Sequence, residues 1–182
     1  MARHLSNLPA EVTSFVGRRK ELREVKRLLS TTRLLTLTGS GGAGKTKLAL
    51  RAAAEMSRGF PDGACLVLLD SVRDPLLVTQ AVFSALGVHD LSSGLSLSTL
   101  TDYLAGRRLL LVLDNCEHLL DACAVLASTL IAACPDLHVW SPAGRLWVWP
   151  ARAGWWCRRC RCPPRGRRRR FSTCSAMTRC GC

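Results

Sequence analysis

Residues 1–139 contain no tryptophan, and residues 141–182 contain neither an acidic residue nor a lysine. Those two absences split the chain. Of its 26 basic residues, 11 are arginines in the second segment. The other 15 face all 13 acids over residues 1–140, so the formal charge of +13 belongs to the tail and the front is close to neutral. Long apolar runs are also missing. The longest, residues 122–134, is interrupted by Ser128 and Thr129 and is too short to span a bilayer. Met1-Ala2-Arg3-His4 opens onto no apolar stretch, which argues against a secretory signal. No internal repeat is detectable, so a solenoid is not expected. A soluble, cytoplasmic protein with no membrane partner is the expectation. Cys65, Cys116, Cys123 and Cys134 sit inside apolar segments and read as small buried hydrophobes with free thiols.

What is present in residues 19–139 is an alternation of helical and strand patterns. Leu22, Val25, Leu28 and Leu29 form one stripe of a helix over residues 19–30. Residues 34–38 are a short β-prone run, and the Ala- and Leu-rich residues 45–57 read as a helix. Pro61-Asp62-Gly63 is a turn, followed by a buried strand over residues 64–69 that ends at Asp70. Asp74-Pro75 has the form of an N-cap with proline at the first helical position, opening a helix to about Leu86. Leu97, Leu100 and Leu104 mark a short helix stopped by Gly106. Residues 109–113 form a uniformly apolar strand, as a parallel strand covered on both faces requires. A helix is expected over residues 117–134, and a fourth strand starts at Leu137. Such alternation predicts an α/β domain of three layers, a parallel sheet with helices on both faces.

The chemistry lies between the first strand and the helix that follows it. Gly39, Ser40, Gly41, Gly42, Ala43, Gly44, Lys45 and Thr46 match G-x-x-x-x-G-K-[ST], the P-loop. Glycines let the loop curl so that backbone N–H groups converge on phosphate oxygens. Gly44 opens a helix whose positive dipole end faces the anion. Lys45 places an ammonium on the β- and γ-phosphates, and the Thr46 hydroxyl is a ligand for Mg²⁺. Asp114 closes an apolar strand 69 residues beyond Lys45, where a P-loop fold carries its second Mg²⁺-holding carboxylate. Glu117 has two readings. It either polarises the attacking water or is an acid in a first helical turn, stabilised by the dipole alone. Asp70 is structural rather than catalytic on this reading.

Three separated segments point to one family. Ser14-Phe15-Val16-Gly17-Arg18 precedes Glu21-Leu22; the strand and P-loop follow; then comes Leu110-Leu111-Val112-Leu113-Asp114-Asn115-Cys116-Glu117-His118-Leu119. Over about residues 7–139 the chain resembles the NB-ARC-like signal-transduction ATPases of the STAND class, in particular the ATPase module of bacterial LuxR-type transcriptional regulators. The resemblance implies that Val16, Gly17 and Arg18 lie near the adenine and ribose of ATP or ADP. It gives Lys45 and Thr46 the phosphate and Mg²⁺ roles, and Asp114 the metal role. It also implies an ADP-held off-state, an ATP-permitted assembly into homo-oligomers in the full-length form, and slow hydrolysis. Asn115 replaces the second acid of many relatives, which leaves the catalytic base open.

The family continues into a Thr-Ser-Arg motif on the fourth strand, and no such motif is readable after residue 139. Tryptophan has one codon, TGG, so Trp-rich stretches constrain the other frames. Read from the third base of the Trp140 codon, the stretch permits Val-Thr-Ser-Arg-x-x-Leu-Gly-Val-Ala, and Trp155-Trp156-Cys157 becomes an aliphatic run. The expectation is an Arg/Cys/Trp-rich, disordered tail over 140–182 translated out of frame. The domain is then expected to be cut after its fourth strand begins, with one sheet edge uncovered and hydrolysis impaired. Two other tail readings compete. The spacing of Cys157, Cys160, Cys162, Cys174, Cys180 and Cys182 matches no pair of zinc knuckles. The Arg167 to Arg170 run attracts nucleic acid nonspecifically. A stand-alone P-loop kinase is a further alternative, but residues 1–139 offer neither a basic lid nor an acceptor site.

Overall fold

The computed structural model describes residues 5–9, 18–38, 44–88, 95–142 and 156–159. In chain order the elements are β1 (Leu5–Ser6), α1 (Arg19–Leu29), β2 (Leu34–Thr38), α2 (Lys45–Met56), β3 (Gly63–Leu68), α3 (Val78–Ala85), α4 (Leu97–Leu104), β4 (Leu110–Asp114), α5 (Leu120–Ala133), β5 (His138–Ser141) and β6 (Trp156–Arg159). The six strands make one sheet in the order β1-β3-β4-β5-β2-β6. Every pairing is parallel.

Alternation along the strands builds the two cores. Leu111 and Leu113 of β4 face one cluster with Val82 and Phe83 of α3, Leu100 and Leu104 of α4, and Leu126 and Leu130 of α5. Leu110 and Val112 face the other, with Leu22 and Leu28 of α1 and Leu48 and Ala52 of α2. Both faces of β4 are covered, which is why it reads as an unbroken apolar run. The expected three-layer α/β architecture is thus the observed one. The strand order puts β2 between β5 and β6, with its successor β3 three places away. The carboxyl ends of β2 and its neighbours flank this switch in direction, the position where open α/β sheets take ligands.

Local signals explain most boundaries. Asp74 Oδ1 accepts from the Leu76 N–H at 2.9 Å, opening a 3-10 turn (Pro75–Leu77) that leads into α3. Ser96 Oγ caps α4 by accepting from the Thr99 N–H at 3.1 Å. The Arg33 guanidinium donates to the carbonyls of Ile131, Cys134 and Pro135 at 2.9, 3.1 and 3.2 Å. Those carbonyls lie at the negative end of α5, so the cation also meets the helix dipole.

Four sequence-based expectations need correction. The helix expected from residue 117 starts at Leu120. Asn115 takes a left-handed conformation (φ 55), and a turn bond from Leu119 N–H to the Cys116 carbonyl occupies the residues between. The fourth strand does not fade at 140, because Trp140 and Ser141 complete β5 and are fully buried. One sheet edge was expected to be uncovered; β2 instead carries β6 on its outer side, paired from Leu35↔Trp156 to Thr38↔Arg159, a short strand within the segment expected to be a tail. Finally, Leu5–Ser6 form β1, an element outside the expected alternation, which began at residue 19.

Two residues hold β1 in place. Asn7 lies beyond the strand, yet its side chain continues the ladder. Its Oδ1 accepts from the Leu66 N–H at 2.6 Å, and its Nδ2 donates to the Leu66 carbonyl at 2.8 Å. Gly63 has φ +104, and a Cβ there would sit 1.8 Å from the Leu5 carbonyl oxygen. Only glycine permits that approach.

Candidate functional site

The loop after β2 enters α2 through Gly44, whose left-handed φ of 66 suits a residue without a side chain. Lys45 follows as the first helical residue and is 8% exposed, an unusual degree of burial for an ammonium. Thr46, one residue on, donates from Oγ1 to Asp114 Oδ1 at 3.0 Å. Two segments far apart in sequence therefore meet at the carboxyl end of the sheet.

Asp114 is 2% exposed. Burial pushes its carboxyl above the ordinary range, and the nearby Glu117 charge adds to the rise. The Thr46 hydroxyl, the Asn115 N–H and the Lys45 charge act in the opposite direction, without cancelling it. A buried carboxylate beside a hydroxyl is hard-oxygen chemistry, suited to a divalent cation. Glu117 lies in the turn before α5, not in its first helical turn, so the helix dipole is not the reason for its position. Its partial burial and its electrostatic reach to Asp114 put it at the same site. Asp70 is exposed beyond β3.

Arg18 caps α1 in a left-handed conformation. Its guanidinium faces Gly44: a Cβ built on that glycine would lie 3.5 Å from Arg18 Nη1 and 3.9 Å from Cζ. Val16, Gly17, Gly39, Ser40, Gly41, Gly42 and Ala43 lie outside the described residues, as do the arginine run and most of the tail cysteines.

One cluster escaped the sequence reading. Cys116 Sγ and Ser141 Oγ are 3.1 Å apart and buried, joining the loop after Asp114 to the end of β5. A hydrogen bond with Cys123 lowers the Cys116 thiol and raises that of Cys123, with burial opposing the first shift and reinforcing the second. Cys65, without such a partner, is pushed up to about 12 by burial. Cys116 was legible as a buried residue. Its partner was not, because Ser141 lies in the segment whose composition had changed.

The residues present fit a nucleotide phosphate with Mg²⁺. A buried ammonium and a helix start offer positive potential, while the Thr46–Asp114 pair offers oxygen ligands. Fold and site together define a P-loop-type α/β domain. Residues 26–139 match the AAA domain model, and the chain belongs to the AAA domain family.

Relatives extend the comparison. An uncharacterised protein of Mycobacterium tuberculosis is 46% identical over 129 residues, covering 70% of this chain and 33% of that protein. Another protein of the same organism, named as a predicted HTH-type transcriptional regulator, is 41% identical over 115 residues, covering 63% of this chain and 13% of its own length. The regulatory protein AfsR of Streptomyces coelicolor is 34% identical over 128 residues, covering 60% of this chain and 13% of AfsR. The chain thus spans a third or less of these relatives. Among solved structures, the ORC2 protein of Aeropyrum pernix, in ADPNP and ADP complexes, superposes with a TM-score of 0.54 at 16% identity, over 78% of this chain and 44% of that one. Cdc6p of Pyrobaculum aerophilum gives 0.53 at 20% identity, over 77% and 41%. These two likenesses concern the fold alone. No helix among the described residues is long and apolar enough to cross a membrane.

Proposed function

We propose that the chain is the adenine-nucleotide-binding module of a STAND-type signalling ATPase, of the NB-ARC-like kind found in LuxR-type and related bacterial transcriptional regulators. The observation that carries this reading is the 3.0 Å contact between Thr46 and Asp114 beside buried Lys45. Relatives named as regulators support the wider context.

On this reading Gly39, Ser40, Gly41, Gly42, Ala43 and Gly44 offer backbone N–H groups to the phosphates, and Lys45 neutralises their charge. Thr46 and Asp114 hold Mg²⁺, which when bound spreads the negative charge of the phosphates. Burial keeps the Asp114 carboxylate poorly solvated without a cation, so it gains more than an exposed acid from meeting one. Val16, Gly17 and Arg18 bring the segment before α1 to the nucleotide. Glu117 is the group to orient a water, and Asn115 supplies no second carboxylate. Turnover is therefore slow or absent, and binding rather than hydrolysis is the role of this chain.

The out-of-frame reading of residues from about 140 onward belongs to the same proposal. Two features support it. The Trp140 indole N–H is buried with no acceptor among the described residues, where the alternative frame permits valine. β6 falls at Trp156–Arg159, overlapping the aliphatic run of that frame.

Thermal melting of the full chain with Mg-ADP or Mg-ATP tests the binding role. The expected result is a rise in melting temperature that Lys45→Ala abolishes. Phosphate transfer to nucleosides or other small acceptors would replace this reading with that of a kinase. Salt-sensitive DNA binding that survives Lys45→Ala, without any nucleotide effect, would replace it with that of a nucleic-acid-binding protein.

A further inference from the structure

We infer that Arg18 recognises the β-phosphate of a bound nucleoside diphosphate or triphosphate, and so sets the preference for ADP over AMP. The inference rests on the nucleotide reading above and departs from the base-side role that the family resemblance implies for this residue.

The argument starts from backbone geometry. Arg18 is one of two described non-glycine residues with positive φ, at 54°. Its carbonyl accepts from the Leu22 N–H at 2.9 Å, closing the first turn of α1. That conformation turns the side chain off the helix toward α2, against which α1 packs. The Lys26–Glu55 ion pair, at 2.8 Å, ties the two helices together further along. The guanidinium ends beside Gly44, with Nη1 3.5 Å from where a Cβ would be. Gly44 is the N-cap of α2, the residue at which the helix offers its unpaired N–H groups.

Charge then selects among the parts of a nucleotide. Adenine is neutral and flat, so a guanidinium gains from it only stacking or a single hydrogen bond. Phosphate oxygens accept two parallel N–H bonds from the guanidinium fork, and the bonds are charge-assisted. On the nucleotide reading, the N-terminus of α2 and buried Lys45 hold the phosphates at Gly44. Arg18 therefore stands across that glycine from the same anion. Exposure of Arg18 in the absence of nucleotide costs nothing, because its charge is then solvated.

The test compares ADP with AMP on the full chain, by displacement of a fluorescent N-methylanthraniloyl-ADP at two salt concentrations. Arg18→Gln is expected to weaken ADP by about tenfold, the equivalent of about 1.4 kcal/mol, and to leave AMP within about twofold. Arg18→Lys keeps the charge but not the fork, and is expected to fall between. The salt dependence of ADP binding should become shallower in Arg18→Gln. Melting without nucleotide should be unchanged, since the side chain is exposed. Equal losses for ADP and AMP would overturn the inference in favour of a base-side role. Wild-type affinities for both nucleotides in Arg18→Gln would overturn it outright. A wild-type chain that releases no fluorescent ADP to either competitor, and binds none, would instead remove the nucleotide reading itself.

Discussion

Replacing Gly63 by alanine should detach the first strand of the sheet. The new Cβ would sit 1.8 Å from the Leu5 carbonyl oxygen, 2.6 Å from its carbonyl carbon and 2.8 Å from its nitrogen. These are backbone atoms, so no rotamer change relieves the clash, and β1 must move. Its departure breaks the Leu5 N–H bond to the Asp62 carbonyl and the two Asn7 bonds to Leu66. Each is worth about 0.5–1.5 kcal/mol net, since water replaces part of it. A φ of +104 adds strain of about 1–3 kcal/mol for a residue with a side chain. The sum is about 2.5–7.5 kcal/mol, and relaxation of the freed strand places the expected loss at the low end, about 2.5–4 kcal/mol. Urea unfolding followed by circular dichroism should show it as a midpoint lowered by about 1–2 M, taking a slope near 2 kcal/mol per M. Asn7→Ala acts through the same strand, so the double variant should lose less than the sum of the single variants. Hydrogen exchange should show the Leu66 N–H unprotected in both. An unchanged midpoint in Gly63→Ala, or full additivity with Asn7→Ala, would refute this account of the edge.

Three other outcomes follow from the site and its surroundings. Asp114 has a raised carboxyl, so the stability it contributes is complete below the ordinary carboxylate pKa and is lost as pH rises through the raised value. Asp114→Asn should therefore raise the melting temperature at pH 7 while removing the Mg²⁺-dependent part of nucleotide binding. His138 is lowered, chiefly by burial and then by Arg33 and Arg108. Stability should decline as pH falls below about 6.5, where the unfolded chain takes the proton first. His138→Phe, which keeps a ring against Phe60, should flatten that decline in melts between pH 5 and 7. Resequencing the DNA around the Trp140 codon should restore a frame reading Val-Thr-Ser-Arg, and tail peptides found by mass spectrometry in the frame as written would contradict this.

Much of the fold was legible because the relevant signals were local. The apolar run of β4 and the Asp74-Pro75 helix start each declare themselves within a few residues. The P-loop signature singled out Lys45 and Thr46, and an apolar strand ending in a carboxylate 69 residues beyond Lys45 singled out Asp114, which the fold brings within 3.0 Å of Thr46. What was hidden depends on partners distant in sequence. β1 is two residues long and exists through Leu66 and Gly63, some 59 residues away. The start of α5 was misplaced because periodicity counts Glu117 with the helix, whereas the left-handed Asn115 ends that continuity. β6 has no strand signature of its own and is recognised only by its pairing with β2. Cys116 and Ser141 meet only once the sheet is assembled.

Isothermal titration calorimetry with ADP is the most direct test of the central claim. A folded preparation of the full chain should bind one ADP, more tightly with Mg²⁺ than without, and Lys45→Ala should give no binding heat while melting as a folded protein. A folded wild-type chain that takes up ADP neither with Mg²⁺ nor without it would contradict the account.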